Sequence, residues 1–194
     1  MGAVIRPAPA AIAPAAIAPA AIAPAAIVPT GRMPTVVPAD VVPADVVPPG
    51  VPILLDSSVL LSYLDGSEAV SPIATEILDG WIRSGRNDGL VSAVSVMEVL
   101  VRPIAAGPSA HRAAIGFLYG SPNLRLVAVD EIAGQLAAGL RAHAGFSAAD
   151  ALVIASGLAV GARHLVTNDA SWRPRLSGAW PDVTVLTLAE LASG

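Results

Sequence analysis

Val51-Pro-Ile-Leu-Leu-Asp-Ser-Ser-Val-Leu-Leu61 is the stretch from which the rest of the domain can be laid out. Pro52–Asp56 reads as a short buried strand, apolar on both of its alternating faces and closed by a carboxylate. Ser57–Leu64 reads as a helix start, with Ser57 or Ser58 available as its cap. A strand apolar on both faces, followed at once by a helix, belongs to a parallel sheet covered on both sides. Further strands are expected at Leu90–Ala93, Leu124–Val129, His164–Thr167 and Val183–Thr187. Between them, helices are expected at Ser71–Arg83, Val94–Val101 (stopped by Pro103), Ser109–Tyr119, Glu131–His143 and Ser147–Val160 (stopped by Gly161). A last helix starts near Leu188. The fold class is α/β, with a central parallel sheet.

The first fifty residues are a separate regime. Pro9, Pro14, Pro19, Pro24, Pro29 and Pro34 recur every five residues, with Ile12, Ile17, Ile22 and Ile27 in phase. A second array, Pro-Ala-Asp-Val-Val, begins at Pro38 and repeats at Pro43. Proline at this density removes amide donors and restricts the preceding residue, so neither a helix nor a central strand persists. Residues 1–50 are therefore expected to be a disordered, polyproline-like arm, and residues 51–194 a folded domain. Hydropathy suggests a membrane span at residues 3–28, but the prolines defeat a spanning helix, and Arg6 alone supplies a basic flank. No membrane association is expected, and the location inferred is the cytoplasm. Met33 is a candidate internal start, and beginning there would leave every candidate site residue in place. If the arm has a function, docking to a partner suits it best.

Composition narrows the chemistry. The chain is 54% apolar and 13% charged, with a net charge of −4, no cysteine and three histidines. Disulfides and thiolate metal sites are excluded, and zinc is disfavoured. The acidic balance argues against a generally basic nucleic-acid coat and leaves room for a local basic cleft.

Four carboxylates stand out because each lies in or beside an apolar run. Asp56 ends the first strand, Glu98 lies within Val94-Ser-Val-Met-Glu-Val-Leu-Val101, Asp150 within Phe146-Ser-Ala-Ala-Asp-Ala-Leu-Val-Ile154, and Asp169 closes His164-Leu-Val-Thr-Asn-Asp169. Burying a carboxylate without a partner costs several kcal/mol, roughly. Each has a local alternative: a cap for Asp56, a turn or cap for Asp169, a solvated helix face for Glu98. Asp150 is the hardest to explain locally, since no basic residue lies within four positions. Together they suggest a shared cation, and oxygen ligands without His or Cys select Mg²⁺ or Mn²⁺.

In their order and framing, Leu54-Leu-Asp-Ser-Ser-Val-Leu-Leu61, Ser92-Ala-Val-Ser-Val-Met-Glu-Val-Leu100, Ser147-Ala-Ala-Asp-Ala-Leu-Val-Ile-Ala155 and Leu165-Val-Thr-Asn-Asp169 resemble the acidic motifs of PIN-domain nucleases, particularly VapC-type toxins of toxin–antitoxin pairs. The resemblance covers about residues 51–194. It implies a three-layer α/β/α domain with Mg²⁺-dependent endoribonuclease activity. Asp56, Glu98, Asp150 and Asp169 would be its metal-site and catalytic acids, supported by Ser57, Ser58 and Thr167. It also implies an RNA substrate, a homodimer and a small inhibitory antitoxin. Arg102, Arg173 and Arg175, with Arg112 and Arg141, are the candidate RNA contacts, although surface solvation explains any one of them. Trp172 suits core packing better than base stacking. A housekeeping RNA-processing nuclease and a non-catalytic scaffold remain as alternative readings.

Overall fold

A computed structural model of the chain describes residues 46–193. Within that span, β1 (Ile53–Leu55) decides which helices cover which side of the sheet. Successive side chains along a strand point to opposite faces. Ile53 and Leu55 belong to one buried cluster and Leu54 to the other. The remaining strands are β2 (Gly89–Ser92), β3 (Leu124–Val127), β4 (His164–Thr167) and β5 (Thr184–Thr187). All pairs are parallel, in the order β3-β2-β1-β4-β5.

The two clusters define the outer layers. On the first face, Ile53, Leu55, Val91, Val166 and Leu186 meet residues from α1 (Ser57–Asp65), α2 (Ser71–Thr75), α3 (Ala93–Ala106), α4 (Pro108–Gly120) and α8 (Leu188–Leu191). On the second, Leu54, Leu90, Leu165 and Val185 meet α5 (Glu131–Ala144), α6 (Ala148–Ala159) and α7 (Trp172–Ser177). The result is the three-layer α/β/α domain implied by a strand apolar on both faces. Each fully buried Leu or Ile contributes about 1.5–3 kcal/mol, so this double-sided burial supplies much of the drive to fold.

Several elements depart from the sequence expectation. The helix expected over Ser71–Arg83 begins as α2 and continues as a π-helical stretch, Glu76–Arg83, that buries Ile77, Leu78, Trp81 and Ile82. α3 does not stop at Pro103. Proline removes one backbone bond but keeps a helical φ, and Ile104–Ala106 continue the turn until Gly107 ends it at φ 113°. α7 has no counterpart in the sequence expectation: it is six residues long, contains Pro174 and is bounded by Gly178.

The boundary expected after residue 50 also shifts. Val47 is fully buried and Val46 packs against the same cluster. Arg86 donates to Val47 O (2.8 Å), and the Asn87 side chain donates to Pro48 O and Val51 O. These contacts make residues 46–50 part of the folded body. Two polar side chains of the loop before β2 satisfy carbonyls in a segment too rich in proline to pair as a strand. The rest of the arm, Met33 and the 3–28 segment lie outside the described residues. Among the described residues, no helix is long and apolar enough to cross a membrane.

One close approach fixes α6 on the sheet. A Cβ at Gly157 would lie 2.7 Å from Leu54 Cδ2, so a methyl there would force the fully buried Leu54 side chain or the helix to shift. Gly157→Ala is expected to cost about 1–3 kcal/mol through overpacking, read as a lowered urea midpoint. An unchanged midpoint would contradict this contact.

Candidate functional site

Asp56 leaves β1 at its carboxyl end and serves as the N-cap of α1, accepting from Ser57 N at 2.8 Å. The cap is thus Asp56 itself, the local role weighed for it from the sequence, and neither Ser57 nor Ser58. Its second oxygen accepts from Ser58 Oγ (2.6 Å) and from Thr167 Oγ1 (2.9 Å). Thr167 ends the neighbouring strand β4 and is fully buried. Its hydroxyl also accepts from Asp169 N at 3.0 Å, and Ser58 Oγ accepts from Asn168 N at 3.0 Å. Two adjacent parallel strands therefore deliver Asp56 and Asp169 to one end of the sheet, where ligands of open α/β sheets bind. Asp169 is exposed and accepts from Ser171 N (2.8 Å).

Asp150 proves to have the local account that its apolar surroundings concealed. It is the third residue of α6, whose N-cap is Ser147. Ser147 Oγ accepts from Asp150 N (3.1 Å) and donates to an Asp150 oxygen (2.7 Å). The signal is present in the sequence, since Ser-x-x-Asp has the spacing of a capping box; the expected helix takes Ser147 as its first residue, not its cap. Glu98 lies half-buried on α3, and among the described residues no hydrogen bond or ion pair engages it.

Asp56 and the Asp169 backbone are tied together through Thr167, while Glu98 and Asp150 stand on α3 and α6, which pack against each other. Among the described residues, no three His, Cys, Asp or Glu side chains lie close enough to hold a metal ion. The donor set nevertheless fits a hard cation: every donor is an oxygen, and the two ion pairs among the described residues, Arg83–Asp79 and Arg173–Glu190, involve none of the four acids.

The arginines divide sharply. Arg173, expected as an RNA contact, forms an ion pair with Glu190 and donates to Val185 O from Nε (3.1 Å) and Nη2 (2.6 Å). It clasps α7 to β5 and α8. Burial opposes the charge on Glu190, but the Thr187 hydroxyl, Arg173 and the Thr187 amide outweigh it and hold the carboxyl below the ordinary range. This guanidinium is spent on structure. Arg175 is exposed and lies over the Phe146 ring (5.4 Å), while Arg102, Arg112 and Arg141 are exposed. Trp172 is 1% exposed and meets Phe146 edge-on, so it packs the core and is closed to a base.

A PIN domain is the class that this fold and these strand-end acids define. The PIN domain family model matches residues 53–174, and the chain belongs to that family. A toxin–antitoxin complex from Klebsiella pneumoniae is 18% identical at a TM-score of 0.53, covering 70% of this chain and 97% of its own. FitAcB from Neisseria gonorrhoeae is 23% identical at 0.54, covering 71% and 98%. VapC20 from Mycobacterium tuberculosis, described as a sarcin-ricin loop cleaving toxin, is 18% identical at 0.51, covering 63% and 93%. At these identities the likeness establishes a common fold. No curated protein sequence matches the chain significantly.

Thr167→Val removes the hydroxyl that holds Asp56 and receives the Asp169 amide while keeping the side chain's shape. A loss of about 1–3 kcal/mol is expected from the groups left unpaired, measured by urea denaturation. Wild-type stability would show that the bridge is dispensable.

Proposed function

We propose that the chain is a divalent-metal-dependent endoribonuclease and the toxin half of a toxin–antitoxin pair. The observation that carries this reading is the Asp56–Thr167–Asp169 arrangement. It puts two acids at the ligand-binding end of adjacent central strands, with neither in an ion pair among the described residues. Membership of the PIN domain family and a fold shared with VapC20, named for cleaving the sarcin-ricin loop, support the same direction. Asp56, Glu98, Asp150 and Asp169 would hold Mg²⁺, with Mn²⁺ as a substitute. The ion would supply charge neutralisation at the scissile phosphate and activation of the attacking water.

The chain's own residues carry the remaining tasks. Thr167 and Ser58 orient the Asp56 carboxylate, and Ser147 orients Asp150. Thr167 is buried, so the donor side of its hydrogen bond to Asp56 is shielded from solvent. Arg102 and Arg175, with Arg112 and Arg141, are the arginines left to meet RNA phosphates once Arg173 is set aside, a contact that would weaken as salt rises. A small antitoxin would bind near the acids, and the chain would act as a homodimer in the cytoplasm; the fold shared with the Klebsiella pneumoniae complex supports the antitoxin partner.

Asp150→Asn provides the discriminating variant. The Ser147 cap on the backbone amide of residue 150 is untouched and the amide oxygen can still accept from Ser147 Oγ, whereas the charge is lost. The purified chain with Mg²⁺ or Mn²⁺ is expected to cut RNA, and the variant to cut on the order of 100-fold more slowly or worse. Cleavage that survives excess EDTA, or equal cleavage by both proteins, would overturn the reading.

A further inference from the structure

Ser95 has no exposed surface, and among the described residues its hydroxyl is the one buried serine or threonine hydroxyl without a hydrogen-bond partner. The other buried hydroxyls are all engaged. Ser62 donates to Glu68, while Ser71 and Ser156 donate to carbonyls. Ser92 accepts from Val94 N, and Thr167 and Thr187 donate to Asp56 and Glu190. A hydroxyl taken out of water without a partner carries a desolvation cost that nothing else at its position offsets. Its retention asks for a task.

The place of Ser95 in the fold suggests which one. It lies in the first turn of α3, whose cap, Ser92, ends β2. Register pairs Val91 with Leu55, so the residues that follow, Ser92 and Asp56, leave neighbouring strands at the same level. α3 packs against α1, which Asp56 caps, and against α6, which carries Asp150. The first turn of α3 therefore borders the strand-end acids. Glu98 stands three residues beyond Ser95, and residues so spaced are neighbours on one flank of a helix, about 5–6 Å apart at Cβ.

Glu98 is also the one candidate acid that no hydrogen bond engages among the described residues. Asp56 accepts from Ser58 and Thr167, Asp150 from Ser147, and Asp169 from Ser171 N. Ser147-Ala-Ala-Asp150 and Ser95-Val-Met-Glu98 share one spacing, a serine three residues before an acid. In the first pair the hydroxyl meets the carboxylate at 2.7 Å. The second pair sets an acid without a partner one turn from a buried hydroxyl without one.

We propose that Ser95 is a positioning residue for Glu98: its hydroxyl donates to the carboxylate and holds it turned toward the strand-end acids. A flexible side chain is thereby confined before a divalent cation arrives, as partners behind metal ligands commonly do. The inference rests on the metal-dependent reading given above and adds a residue to it.

Ser95→Ala replaces an unpaired buried hydroxyl with a methyl of nearly the same size, so the urea midpoint of the full chain is expected at or above that of the wild type. Its affinity for Mn²⁺, measured by isothermal titration, is expected to fall about 10–100-fold. Glu98→Gln should weaken Mn²⁺ binding at least as much. Ser156→Ala is the control: it removes a buried hydroxyl already bonded to Val153 O, and should lower the midpoint while leaving Mn²⁺ affinity unchanged. Wild-type affinity in Ser95→Ala, a midpoint lowered as in Ser156→Ala, an equal loss of affinity in Ser156→Ala, or intact binding in Glu98→Gln would each overturn the role of Ser95 while leaving the metal site standing. Absence of Mn²⁺ binding by the wild type would overturn the metal reading itself, and this role with it.

Discussion

The pairing of β1 with β4 is the constraint on which the site rests. Parallel register places Leu55 beside Val166, and the next backbone bond runs from Asp56 N to Val166 O at 3.0 Å. Thr167 then stands within reach of Asp56, and one buried hydroxyl can donate to the carboxylate while accepting from the Asp169 amide. A slip of one residue would turn these side chains to the other face of the sheet. The register is secured by burial on both sides, since Ile53, Leu55 and Val166 fill one cluster while Leu54 and Leu165 fill the other. Packing energy, distributed over many apolar contacts, thus fixes the positions of a few polar atoms.

That dependence explains what can be read in advance. The strands are legible because double-sided burial leaves short continuous apolar runs, and His164–Thr167 is bounded to the residue. Helix ends are harder. Proline at position 103 looks terminal, yet it costs one backbone bond and leaves the chain free to continue until Gly107. The short α7 carries too few residues for periodicity to show, and its identity depends on Trp172 and Leu176 being buried against the second face. The packing of Val46 and Val47 is hard to read in advance, because the same valine pair also occurs five residues earlier in the repeat. The carbonyls of Val47 and Pro48 are met by donors on Arg86 and Asn87, distant in sequence.

The candidate acids are legible as a set and less so individually. Asp56, Asp150 and Asp169 each perform a local task at a helix start or turn. A cap and a cation ligand are compatible roles, since a carboxylate has more acceptor positions than a single amide uses. The arginines behave differently. Sequence separates Arg173 from Glu190 by a whole strand, so the clasp joining α7, β5 and α8 appears only once the chain is folded. Its removal from the RNA-facing candidates leaves a sparser positive surface around an acidic centre.

The central claim is that a divalent cation draws the four acids together, and it is tested most directly by a crystal grown with Mn²⁺. The account predicts an anomalous peak in contact with Asp56, with Glu98, Asp150 and Asp169 turned toward it either directly or through water. A structure from such a crystal with no peak there would contradict it.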